Sequence, residues 1–273
     1  MGAKALSKIT SKDLDEFVDI CKSITEIDKE KFINEVKQLY KWHDNGEVPE
    51  RIESLQDKWY KSLMFDNPDF SIYDDAYYLA DCWACWKIYS RKYLKSIVDS
   101  KSLGFKDSHR NYHNARSVVD DIGAIRSVVD VGCGIGYSTL AIKEIFPMAN
   151  VYGTNIVGTK QWDLCKKLGI ELVSAIEGIG QTDLVIAFEY FEHFEDPVQH
   201  LKQIVETLQP KYFLIASSFG TTSIGHFVSQ KYNNKKVTSK GFGRIFNQEL
   251  RKMGYAQQTT NIYNHKPSYW KRK

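Results

Sequence analysis

Residues 127–136 read S-V-V-D-V-G-C-G-I-G, an apolar run that closes on an acid and three glycines set one residue apart. β-Branched residues in an unbroken apolar run suit a buried parallel strand. The next ten residues, YSTLAIKEIF from Tyr137 to Phe146, carry Leu140, Ile142 and Ile145 at helical spacing. The glycine stretch is therefore a loop that joins strand to helix. Gly132, Gly134 and Gly136 tolerate backbone angles closed to other residues and let a ligand approach the main chain without a Cβ in the way. A ligand is expected at that edge of the sheet.

Downstream of Arg126 the chain alternates short apolar runs with helical patterns, which predicts a parallel sheet with right-handed crossovers. Further strands are expected over 150–156, 170–173, 183–188 and 212–217, with two more near 256–260 and in the tail. Helices are expected over 161–168, 197–208 and 242–253. The first hundred residues show helical periodicity and no strand pattern. One amphipathic helix carries Leu14, Phe17, Val18, Cys21 and Ile24 after a cap at Thr10 or Ser11, and a second carries Phe32 to Tyr40. Pro49 suits the first turn of a third. A long, aromatic-rich fourth is expected from Tyr73 to Val98, and a short one over 110–121. The expected class is α/β: a doubly wound, Rossmann-like sheet of about seven strands. The expected division is a helical domain over 1–105, capping the substrate side, and a Rossmann-like domain over 106–273.

A dinucleotide site calls for G-x-G-x-x-G, whereas this loop is G-x-G-x-G with Tyr137 where the third glycine should fall. With an acid two residues before the first glycine, it resembles motif I of the class I S-adenosylmethionine-dependent methyltransferases. Residues 188–197, F-E-Y-F-E-H-F-E-D-P, resemble the E-x-L-E-H-x-x-D-P stretch of the ubiquinone-biosynthesis branch of that family, with Phe191 in place of Leu. The resemblance covers residues 126 to about 219 and implies S-adenosylmethionine as cofactor. Asp130 with the backbone of Gly132, Cys133, Gly134 and Gly136 would hold its methionine part. Asn155 stands where a carboxylate usually grips the ribose, and it cannot supply the charge-assisted pair a carboxylate gives. Glu177 would accept from the adenine amino group, with Ser174 also in reach, and Glu189 would line the pocket or favour the start of the following helix.

Methyl transfer needs a base only when the acceptor must lose a proton, and His193, with Glu189 beside it in the motif, is the catalytic candidate. The other reading of His193 is a helix-start histidine bonded to a neighbouring carbonyl. The segment 219–241 is expected to overhang the pocket, with His226, Lys231 and Tyr232 touching the acceptor. Residues 229–273 carry 11 Lys and Arg against one acid, although the whole chain has a net charge of only +3. Such a block attracts anions. The expected acceptor is anionic: a small molecule, a nucleotide or nucleic acid. The alternative function is a methyltransferase-fold binding protein without turnover that serves a partner enzyme or nucleic acid.

No run is long and apolar enough to span a membrane, and MGAKALS lacks an apolar signal region and has Leu6 where a myristoylation pattern needs Ser or Thr. Five scattered cysteines form no disulfide framework, so a cytoplasmic address is expected. Cys82, Cys85, His109 and His113 imitate a zinc pattern with a middle spacing of 23 residues, beyond the usual range. The two cysteines sit in an apolar helical run where such residues pack as small hydrophobes, and no metal is expected.

Overall fold

The computed structural model describes residues 10–45, 48–99, 123–259 and 266–273. Helices α1 (Ser11–Ile24), α2 (Lys29–Asn45) and α3 (Glu50–Met64) come first. Thr10 caps α1 in a reciprocal box with Asp13, and Pro49 is the N-cap of α3. The expected long fourth helix is broken at its start. Asp69 caps a 3-10 turn over Phe70–Asp74, and the extended Asp75 accepts from the Tyr77 amide at 2.8 Å before the helix proper begins. From there α4 (Tyr78–Cys85), a π-helical turn (Trp86–Ser90) and α5 (Arg91–Asp99) run on without a break. The helix expected over 110–121 lies outside the described residues.

The sheet is built from β1 (Ser127–Asp130), β2 (Asn150–Thr154), β3 (Leu172–Val173), β4 (Leu184–Phe188), β5 (Tyr212–Ala216), β8 (Tyr255–Gln257) and β9 (Ser268–Arg272). Their order across it is β3-β2-β1-β4-β5-β9-β8. The first five are parallel; β9 is antiparallel to both β5 and β8. Chain direction across the sheet reverses between β1 and β4, the place where such sheets open a crevice at their carboxyl ends. Helices α6 (Tyr137–Ile145), α7 (Lys160–Lys167), α8 (Pro197–Leu208) and α9 (Phe242–Lys252) complete the crossovers. The segment expected to be an insertion folds as a separate hairpin, β6 (Ser229–Tyr232) and β7 (Lys235–Thr238). Its two-residue turn, Asn233 and Asn234, has φ of 49° and 60°, the double positive φ that a type I′ turn requires.

Strand alternation sorts the core into two layers. Val128, Leu184, Ile186 and Leu214 pack into one cluster with Phe17, Trp83 and the other apolar side chains of the amino-terminal helices. Val129, Val185, Ala187 and Phe213 face α8 and α9. The amino-terminal helices thus share a core with one sheet face. Phe17 stacks on Trp83 at 4.5 Å, and Trp83 meets Tyr137 of α6 edge-on at 4.9 Å. This packing brings α4 and the π-helical turn over the carboxyl end of the sheet, where they wall the crevice.

Candidate functional site

A cavity of about 960 Å³ opens at the carboxyl ends of β1 and β4. One wall is the glycine loop. Gly132 N donates to Thr154 Oγ1 at 3.0 Å and Cys133 N to Thr154 O at 2.9 Å, so the end of β2 sets the loop's path. Asp130 is buried; Ser138 Oγ and Thr139 Oγ1 both donate to its Oδ2, at 2.8 and 2.7 Å. Burial pushes its carboxyl up to about 6 against those two bonds. Asn155 fastens the loop: its Nδ2 donates to Gly134 O at 2.7 Å and its Oδ1 accepts from Ile156 N at 2.9 Å.

A second wall comes from the chain after β4. Glu189 sits at φ 46°, in the left-handed region that few non-glycine residues occupy. Tyr93 Oη donates to its Oε1 at 2.7 Å, and Lys266 Nζ stands 3.4 Å from the same oxygen. Burial raises the Glu189 carboxyl, but Lys266 and hydrogen bonds from Glu192, Ser218 and Tyr93 outweigh it, leaving the group below its ordinary range. Glu192, fully enclosed, goes the other way: burial and the charge of Glu189 push it well above, while Ser218 N donates to its Oε1 at 2.8 Å. Of the two, Glu192 is the carboxyl that burial and its neighbour's charge drive toward the protonated form. Asp196 and Pro197, the rest of that motif, start α8, with Asp196 Oδ1 capping Gln199 N at 2.9 Å.

The third wall carries two histidines whose rings meet edge to face at 4.7 Å. His193 ends a 3-10 turn over Phe191–His193, and its Nδ1 lies 3.1 Å from Tyr73 Oη. His226 Nδ1 lies 2.8 Å from Thr221 O, and a carbonyl can only accept, so this nitrogen carries the proton. In the neutral ring Nε2 is then a bare acceptor. Burial, then the neighbouring His226, depress His193 well below the ordinary histidine range, and burial lowers His226. The loop holding His226 is clamped from α3: Trp59 Nε1 donates to His226 O at 2.7 Å and Tyr60 Oη to Ser223 O at 3.0 Å.

Of the residues singled out from sequence, Asp130, Gly132, Cys133, Gly134, Asn155 and Glu177 line the cavity, as do Glu189, His193 and His226. Ser174 lines it too, and Glu177 stands exposed at the rim. Gly136 does not line the cavity; it is the N-cap of α6 at φ 85°. Lys231 and Tyr232 lie off the cavity, because the hairpin strand turns them to opposite faces, Lys231 to solvent and Tyr232 onto Phe242 of α9. Lys231 Nζ pairs with Glu195 at 2.9 Å, and Tyr232 Oη donates to Glu249 Oε1 at 2.8 Å. No Lys or Arg lines the cavity among the described residues. Four of the eleven cations of the basic block sit against acids: Lys231 against Glu195, Lys236 against Asp66, Lys252 against Glu249 and Lys266 against Glu189. His109 and His113 lie outside the described residues, and Cys82 and Cys85 line the cavity from α4.

Sequence reasoning passed over Tyr73, Tyr93 and Asp81. The first two are invisible without the fold, since they meet His193 and Glu189 across more than ninety residues. Asp81 left a signal: it is the lone acid in the apolar run Y-L-A-D-C-W-A-C-W of 78–86.

Among solved structures, the chain is similar to StiE O-MT at 19% identity and a TM-score of 0.37, over 54% of this chain and 49% of that one. It therefore spans about half the length of that relative. It is also similar to the plantazolicin methyltransferase BpumL, solved with a pentazolic desmethylPZN analog and SAH, at 19% identity and a TM-score of 0.36 over 61% of each chain. A third likeness is a SAM-dependent methyltransferase from Archaeoglobus fulgidus, at 19% identity and a TM-score of 0.38, covering 50% of this chain and 64% of that one. A family profile described as "Methyltransferase domain" matches residues 107–265, more than half of the chain. The chain belongs to that family, and these residues form a methyltransferase domain with a Rossmann-like fold.

Proposed function

We propose that the protein methylates a small acceptor held between the glycine loop and the two histidines. One observation carries this reading: a single cavity runs from Gly134 to His193 and His226. The residues fit the cofactor. A Cβ built at Gly134 would meet no atom within 4 Å, so the loop leaves ligand space on that side. A lining that carries acids and, among the described residues, no Lys or Arg also suits a sulfonium cation. Held by the Gly132–Gly134 loop and Asp130, bound S-adenosylmethionine would supply an electrophilic methyl group to the acceptor's lone pair, with its sulfur as the leaving group.

The chain's own residues position and deprotonate. His226 takes the acceptor proton on Nε2, its Nδ1 proton staying on Thr221 O. His193, held by Tyr73, packs against the His226 ring and fixes its tilt. The ionised Glu189 places negative charge beside the cavity, and the neutral Glu192 behind it avoids doubling that charge. This arrangement supports placing the chain near the ubiquinone-biosynthesis branch, whose E-x-x-E-H-x-x-D-P residues are Glu189, Glu192, His193, Asp196 and Pro197. It does not support the anionic acceptor expected from the basic tail, because the Lys and Arg of that tail do not line the cavity.

The test is calorimetric titration with S-adenosylhomocysteine, followed by labelled methyl transfer to a fractionated metabolite pool. Micromolar binding with transfer into a small-molecule fraction is expected; no binding at all would end the reading. Asn155→Asp is expected to weaken that binding about tenfold. The substitution replaces the Nδ2 donor 2.7 Å from Gly134 O with an acceptor, so two oxygens face each other and the loop is released. Tighter binding in Asn155→Asp would show instead that ribose recognition governs this position.

A further inference from the structure

Tyr78, Asp81, Cys82, Cys85, Trp86 and Tyr89 all line the cavity. Their spacing of three and four puts them on one helix face, and the π-helical turn over Trp86–Ser90 keeps the last of them on that side. Asp81 is 7% exposed, and among the described residues its carboxylate accepts no hydrogen bond and joins no ion pair. The other acids of the cavity are compensated or wet. Asp130 has two hydroxyls, Glu189 has Tyr93 and Lys266, Glu195 has Lys231, and Glu177 and Glu206 are exposed. A buried carboxylate without a partner is costly and persists where a ligand supplies the counter-charge. Contacts run from its helix to the histidines: Tyr78 meets Tyr73 at 5.3 Å, and Tyr73 Oη reaches His193. The helix that carries Asp81 thereby reaches the acceptor side of the cavity through Tyr78.

We propose that Asp81 receives a protonated amine of the methyl acceptor, with the Tyr78, Trp86 and Tyr89 rings around it, so that the substrate class is small aromatic amines. This rests on the methyltransferase reading above. The ammonium is the handle, and the group that accepts the methyl is a separate O–H or N–H presented to His226. Charge-assisted hydrogen bonding and ring contact with a cation act together in such a pocket.

The experiment measures binding of tryptamine, tyramine and benzylamine, each against its alcohol analogue, to the full chain with and without S-adenosylhomocysteine. At least one amine is expected to bind about tenfold or more tightly than its alcohol, with the preference gone in Asp81→Asn and S-adenosylhomocysteine affinity unchanged. Equal binding of amine and alcohol throughout overturns the proposal. So does a tenfold loss of S-adenosylhomocysteine affinity in Asp81→Asn, which would assign the carboxylate to the methionine ammonium of the donor. An amine preference in a protein that binds no S-adenosylhomocysteine would uphold the amine site and remove the methyltransferase reading instead.

Folding of the variant is checked by melting. Burial holds the Asp81 carboxyl up at about 6, above its unfolded value, so the native penalty is full at pH 8 and shrinks as pH falls toward 4. The groups facing it, Tyr78, Cys82, Cys85 and Tyr89, are raised by burial and stay neutral over that range. Asp81→Asn is expected to melt above the native protein at pH 8, by a margin that narrows at pH 5. A variant less stable than native at pH 8 would mean that the carboxylate is satisfied within the fold, and would overturn the proposal.

Discussion

Gly134→Val is expected to abolish S-adenosylhomocysteine binding, with affinity falling roughly a hundredfold or more, about 2.7 kcal/mol. Two effects meet at this position. Gly134 has φ 53°, where a β-branched residue is strained, and its Cβ direction points into open cavity. The valine would stand where a ligand must lie against the loop. Strain alone could lower affinity by loosening the fold, so Gly169→Val is the companion variant. Gly169 has φ 68°, also has no atom within 4 Å of a built Cβ, and does not line the cavity. Both substitutions are expected to cost about 1–3 kcal/mol of stability. Calorimetry then separates them: Gly169→Val retains the ligand and Gly134→Val does not. If Gly134→Val binds as tightly as Gly169→Val, the glycine loop is not the cofactor cradle.

The glycine loop was legible because its chemistry is local. A strand, three glycines and a helix follow one another in the chain, and the structure keeps that order at Ser127–Asp130 and Tyr137–Ile145. Strands β1, β4 and β5 were legible for the same reason, each being a short apolar run buried on both faces. The hairpin was missed although its turn pair, Asn233 and Asn234, stood in the sequence, because polar strands exposed at alternate positions look like loop. Asn155 was read as a ribose contact from its place at the end of β2. Its side chain also bonds Ile156 N beside it and Gly134 O, the latter 21 residues away and without a sequence signature, which leaves one amide hydrogen and one oxygen lone pair for a ligand. The lysines of the basic tail are countable in the sequence, and the Lys252 pair with Glu249 is legible at helical spacing, but Lys231 and Lys236 each meet a carboxylate that only the fold brings near.

The second large effect is expected at His226. His226→Asn keeps a side-chain N–H for Thr221 O and deletes the Nε2 lone pair, so it removes the base while preserving the anchor. The turnover number should fall about 10²- to 10⁴-fold with S-adenosylhomocysteine affinity intact. His193→Asn should cost less, since its Nδ1 faces Tyr73 and its work is to hold the neighbouring ring. The pH profile gives an independent reading. Burial favours the neutral ring, so the base form persists below the ordinary histidine value of about 6.5. Native activity should stay level from pH 8 down through 6.5 and drop only at lower pH, as His226 finally takes a proton from solvent. A full loss in His193→Asn with little change in His226→Asn would exchange the two roles. A profile that falls already near pH 7 would place the base on a less buried group than either histidine.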